Sequence, residues 1–182
     1  MVKVHSRTVK YYVHGAFMWI GWTVIGMLQI WTNRYMRAHW RWNKVVHSIL
    51  GFAALALILT SGFVALQAHG WRINRSQALH TKAGFCFFII GTFPIFIGIA
   101  ANIMRLKAEM AWKSKRVLLL GKTHKWLGRA CLLVSQYIIG TGTVNFFKFD
   151  EVFKWTFPAV SAFVFLALII SSEIWFRMKL RK

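Results

Sequence analysis

The chain has 182 residues, 57% of them hydrophobic, with 24 Lys and Arg against 4 Asp and Glu for a net charge of +20. In a soluble chain such basicity points to nucleic acid or a disordered basic tail, but 16% aromatic residues and a mean hydropathy of +0.49 fit neither. A soluble enzyme is excluded too, because several apolar runs reach the roughly 20 residues that cross a bilayer. The expectation is an all-α polytopic membrane protein that binds no nucleic acid and keeps its charge in loops and ends.

In chain order, Lys3, Arg7 and Lys10 precede an apolar run that continues to about Thr32. The run has no small-x-small cleavage pattern and is longer than a signal-peptide core, so it reads as a retained membrane helix. Five spans are expected, at 12–33, 45–68, 79–104, 123–147 and 155–176. The whole of 1–182 then forms a single membrane domain, with a four-helix core over 12–147 and a fifth helix over 155–177. Tyr11, Tyr12, Trp31, Tyr35, Trp126, Trp155 and Trp175 fall near the ends of these runs, as an interfacial aromatic belt requires. Cys86 and Cys131 lie within apolar runs and read as two buried thiols, neither a disulfide nor a metal cluster.

Basic residues outside the runs set the orientation. Seven fall on the side of the N-terminus: Lys3, Arg7, Lys10, Arg72, Arg75, Lys148 and Lys154. Fourteen fall on the other side: Arg34, Arg37, Arg41, Lys44, Arg105, Lys107, Lys113, Lys115, Arg116, Lys122, Arg177, Lys179, Arg181 and Lys182. The N-terminus is therefore expected on the non-cytoplasmic or intermembrane-space side, with the C-terminus in the cytoplasm or matrix. The membrane itself is left open between the mitochondrial inner membrane and an endomembrane or plasma membrane.

Seven histidines divide into two groups. His5, His39 and His69 belong to the tail and linkers, where a solvated imidazole needs no special account. His14, His47, His80 and His124 each stand within about the first turn of four successive runs, at intervals of 33, 33 and 44 residues. Ionisable groups in membrane helices are costly and signal function. Helices that alternate direction put His14 level with His80 and His47 level with His124, across a four-helix bundle. Two imidazoles on opposite axial positions are what a six-coordinate b-type haem needs, and a fully ligated iron serves electron transfer. Two pairs predict two haem b groups. With 16 to 18 helical residues between the levels, the separation comes to about 25 Å.

Other residues take supporting parts in this reading. Gly51, Gly84 and Gly128 follow His47, His80 and His124 by four residues, clearing the same face for a flat ligand. Gly26, Gly62, Gly98, Gly140 and Gly142 sit deeper, about level with the opposite haem. Lys10, Lys44, Lys82, Lys125 and Arg129 are candidates to pair with haem propionates, and each has ordinary snorkelling as its plain alternative. Glu173, the one carboxylate in the runs, is expected to pair with Arg177 one turn on. The polar residues Gln29, Thr60, Ser61, Asn102, Gln136 and Asn145 are scattered and do not suggest a proton-coupled transporter. No residue stands out as catalytic.

The four-histidine order and intervals, Leu79-His80-Thr81, Lys44-Val45-Val46-His47, and Gly26 followed by Arg34-Tyr35 resemble the eukaryotic cytochrome b561 family of transmembrane di-haem electron carriers. The resemblance covers 12–142. It implies that His14 with His80 holds one haem and His47 with His124 the other. It also implies an oxidoreductase fed by ascorbate or a quinol, of the ferric- or monodehydroascorbate-reductase type. Lys82 stands where the family has Trp, and the ascorbate-site motif is only partly present, with Lys44 and Arg34 as its remnants. The alternative is an accessory subunit of a larger membrane complex, such as a mitochondrial respiratory one, with haems retained or lost. Its basic face would meet acidic neighbours or anionic lipid such as cardiolipin. The assembly is left open between a homodimer and a larger membrane protein complex.

Overall fold

The computed structural model describes residues 2–36, 42–71, 79–106, 115–146 and 151–180. His39, Arg37, Arg41, Arg72, Arg75, Lys107, Lys113, Lys148, Arg181 and Lys182 lie outside these residues, as do the side chains of Lys3, His5, Arg105, Lys115, Arg116 and Lys179. The chain starts with α1 (Val2–Met18), which passes without a break into a π-helical segment (Trp19–Ile25) and then α2 (Gly26–Tyr35). Four long helices come next: α3 (Asn43–Ala68), α4 (Leu79–Leu106), α5 (Lys115–Phe146) and α6 (Glu151–Leu180). No strand occurs among the described residues. Helices suit such apolar sequence because they satisfy their own backbone polar groups without water. Pro94 and Pro158 both lie inside helices.

α3 ends in a Schellman motif. Gly70 N–H donates to the Gln67 carbonyl at 3.1 Å, and Trp71 N–H to the Leu66 carbonyl at 2.8 Å. Gly70 adopts φ +65, a left-handed conformation that glycine enters without steric cost. This closure ends α3 beside Tyr11, whose ring meets that of His69 at 5.7 Å.

The helix formed by α1, the π segment and α2 packs along α3, while α4 packs along α5. Contacts between α3 and α4, and between α5 and the first helix, close these two halves into a four-helix ring. α6 stays outside the ring against α5 and α2. It is held by Trp19 Nε1–H donating to Ser161 Oγ at 3.0 Å and by Arg34 bonding Glu173 at 2.7 Å. The interior is built from small and medium residues, among them Ala54, Ile58, Ala101, Cys131, Leu132 and Ile138. Gly21 lets α3 approach, since a Cβ there would lie 3.2 Å from Ile58.

Large apolar side chains such as Phe52, Phe93, Phe163 and Ile170 face outward, which suits a hydrocarbon solvent. Four helical stretches are long and apolar enough to cross a membrane: Arg7–Tyr35, Asn43–Ala68, Leu79–Met104 and Lys154–Met178. The expected span at 123–147 is not among them. Its helix, α5, carries Lys122, Lys125 and Arg129 near its start and several polar residues further on, and these dilute its hydropathy. The cysteines also part company. Cys131 is buried as expected, but Cys86 is exposed on the outer surface of α4.

Candidate functional site

The ring order places α1 diagonally opposite α4, and α3 diagonally opposite α5. The four histidines meet along these diagonals. His14 on α1 and His80 on α4 have ring centroids 6.3 Å apart with planes at 72°. His47 on α3 and His124 on α5 have centroids 6.0 Å apart with planes at 86°. The two pairs sit at opposite ends of the bundle, because the helices alternate in direction.

Each imidazole is anchored by the same device. His47 Nδ1 lies 3.0 Å from the Gln29 carbonyl, His80 Nδ1 3.0 Å from that of Ile138, and His124 Nδ1 2.7 Å from that of Pro94. His14 Nδ1 lies 3.1 Å from the Ser61 carbonyl and 2.9 Å from Ser61 Oγ. A carbonyl only accepts, so Nδ1 carries the proton in all four rings. Nε2 is left with a free lone pair, the form in which histidine binds a metal. The partnership is reciprocal between the first helix and α3. Gln29 Nε2 donates back to the His47 carbonyl at 3.2 Å, and the Ser61 hydroxyl donates to the His14 carbonyl at 2.9 Å.

Close backbone approach makes two of these anchors attainable. A Cβ on Gly142 would lie 2.7 Å from His80 Cε1, and one on Gly98 would lie 2.8 Å from His124 Cε1. Both glycines follow the accepting carbonyl by one turn, Pro94 by Gly98 and Ile138 by Gly142. The deep glycines meet different neighbours. Gly98 and Gly142 seat the imidazoles, Gly26 and Gly62 receive Leu132 and Phe88, and Gly140 has only an ordinary contact with Pro158. The glycines four residues after histidines divide as well. Gly51 makes room for the Gln29 amide, at 2.7 Å from a would-be Cβ. Gly128 has nothing within 4 Å of such an atom, and Gly84 has only Ile138 Cγ2 at 3.8 Å, so open space lies beside both.

Around the first pair that space is a cavity of about 740 Å³. Gly84, Gly142, Trp22, Phe87 and Phe88 line it, with Tyr11 and Asn145 toward the bundle end. Its size and largely apolar lining are those of a cofactor pocket. Among the described residues, no three His, Cys, Asp or Glu side chains converge. A metal at either pair would thus take its other ligands from a cofactor. Metal–imidazole bonds run about 2 Å and a ring nitrogen lies about 1 Å from its ring centre, so two imidazoles on opposite sides of one metal have centroids about 6 Å apart. Both pairs meet that spacing, and the residues present fit a bis-imidazole haem.

The basic candidates stand outside the pairs. Lys44, Lys82 and Lys125 are exposed, and Lys10 is half-buried one turn before His14. Arg129 lies with its guanidinium 5.3 Å from the Trp126 ring centre. Glu173 bonds Arg177 Nε–H at 3.1 Å as expected, but it also accepts from Arg34 at 2.7 Å and from the Tyr35 hydroxyl at 3.2 Å, joining α6 to α2. Sequence reasoning passes over Gln29 and Ser61 as scattered polar residues. Their signal is positional: each lies about four turns from the histidine on its own helix, level with the opposite pair.

No family model matches the chain, and no curated protein or solved structure matches it.

Proposed function

We propose that the chain is a membrane-embedded electron carrier that holds two b-type haems, one between His14 and His80 and one between His47 and His124. The observation that supports this best is the shared state of the four imidazoles. Each has Nδ1–H tied to a backbone carbonyl and Nε2 free, in pairs at the centroid spacing that bis-imidazole ligation needs. These four histidines would hold the haems, and a haem bound there would supply a reversible one-electron iron couple. The backbone anchors fix each ring's tautomer and raise the basicity of its Nε2. The largely apolar lining around the first pair, including Phe87 and Phe88, suits the flat apolar body of such a group.

Ser61 lies 14 residues after His47, Pro94 14 after His80 and Ile138 14 after His124, and each is level with the opposite pair. At 1.5 Å per residue the levels are about 21 Å apart, shorter than the expected 25 Å. That span lets the protein relay electrons from one side of the bilayer to the other. On this reading α5 is a fifth span, with its polar residues turned to use within the ring. The donor is ascorbate or a quinol.

The test is a pyridine haemochrome assay and a reduced-minus-oxidised spectrum of the detergent-purified protein. Two equivalents of haem b are expected, falling to one in His14→Ala or His80→Ala and to one in His47→Ala or His124→Ala. A chain without b-type bands overturns the proposal.

A further inference from the structure

The first helix departs from the other three in one respect. Its accepting carbonyl, Gln29, lies 15 residues after His14, whereas the other three intervals are 14. In a regular α-helix one extra residue turns everything beyond it by about 100° and advances it by 1.5 Å. Such a turn would swing the Gln29 carbonyl away from His47 and break both hydrogen bonds between these residues. The structure keeps both bonds.

The same helix contains the π-helical segment Trp19–Ile25, which lies between His14 and Gln29. Its wider turns close from residue i to i+5, as Gly26 N–H does on the Gly21 carbonyl. A π turn holds about one residue more than an α turn for a similar advance. It therefore absorbs a single added residue without rotating α2 relative to α1. Proline does not account for it, since the segment reads WIGWTVI.

We infer that the π segment is a positioning element: it takes up the one surplus residue of the first helix so that His14 and Gln29 stay in register with their partners on α3 at both ends of the bundle. As a statement about cofactor ligands this rests on the di-haem reading above. As a statement about helix register it stands on the spacing and the hydrogen bonds alone.

Deleting one residue from the segment should convert it to α-helix and leave the interval at 14. Val24 is the residue to remove, because its side chain is exposed whereas Thr23 beside it is buried and bonded to Gln136. The control removes Ala56, also exposed, from α3, where the interval from His47 to Ser61 would fall to 13. Two readouts are taken on full-length protein in detergent: the thermal unfolding midpoint without added haem, and haem equivalents after reconstitution.

The Val24 deletion is expected to unfold cooperatively within about 4 °C of the parent and to bind as much haem as the parent. The Ala56 deletion is expected to lose the cooperative transition and at least one haem equivalent. Equal damage from both deletions, or none from the Ala56 deletion, overturns the register proposal. A parent that binds no haem overturns the di-haem reading, and the unfolding comparison then still decides the register.

Discussion

Gln29 and His47 exchange two hydrogen bonds, His47 Nδ1–H to the Gln29 carbonyl at 3.0 Å and Gln29 Nε2–H to the His47 carbonyl at 3.2 Å. The amide fits only because Gly51 presents no side chain, its would-be Cβ lying 2.7 Å from Gln29 Nε2. Gly51→Ala should displace the amide and cost about 1 kcal/mol through the lost bond. Gln29→Ala should cost a similar amount. The double variant should be little worse than either alone, because the second change has no bond left to break. A double-mutant cycle of unfolding midpoints checks this, and strict additivity would count against it.

Much of the site was legible in the sequence, and the reason is periodicity. Four histidines at the starts of successive apolar runs fix which ends of the bundle they share, and antiparallel packing does the rest. The diagonal order α1, α3, α4, α5 was not legible, because apolar stripes do not say which neighbour they meet. The carbonyl anchors at Ser61, Pro94 and Ile138 were hidden for a different reason. A backbone acceptor leaves no mark on residue type, and only the glycines at Gly98 and Gly142 hint at a ring beside them. Glu173 shows the limit of local pairing rules: its i+4 partner follows from helix geometry, whereas Arg34 is 139 residues away.

Gly142→Ala and Gly98→Ala should each disturb one histidine pair and spare the other. The added methyl would meet His80 Cε1 at 2.7 Å in the first and His124 Cε1 at 2.8 Å in the second. Neither backbone can retreat far inside a packed ring, so the imidazole must tilt off its carbonyl anchor. Each variant should retain close to one haem equivalent with altered or lost absorption from the other. Combined with His14→Ala, Gly142→Ala should add no further haem loss, since both act on the same pair. Loss of both haems in either glycine variant alone would show that the pairs are not independent.

Gly128→Ala separates a cofactor cradle from ordinary helix packing. Nothing in the protein lies within 4 Å of the added Cβ. Without haem the change should be neutral or stabilising by about 0.5–1 kcal/mol, because alanine is the better helix former. If a flat ligand fills the space beside His124, the same methyl should weaken haem retention at the His47–His124 pair. Apoprotein unfolding and haem titration on one preparation give both numbers. A variant that is stabilised and binds haem as tightly as the parent would place the ligand elsewhere.

Glu173→Gln tests whether α6 takes any part in the site. Glu173 accepts from Arg34, Tyr35 and Arg177, yet Arg34 and Arg177 side chains are 37% and 72% exposed, so the ion pairs stabilise little. Substitution should cost under about 1 kcal/mol of stability and leave both haem equivalents and their spectra unchanged. The amide still accepts from Arg34 and Tyr35, so the link between α6 and α2 weakens without breaking. A charge reversal, Glu173→Lys, sets a third cation beside Arg34 and Arg177 and should detach the C-terminal half of α6, seen as faster cleavage there by limited proteolysis in detergent. Altered haem spectra in Glu173→Gln would mean that α6 influences the His47–His124 pair through its bonds to Arg34 and Tyr35 on α2.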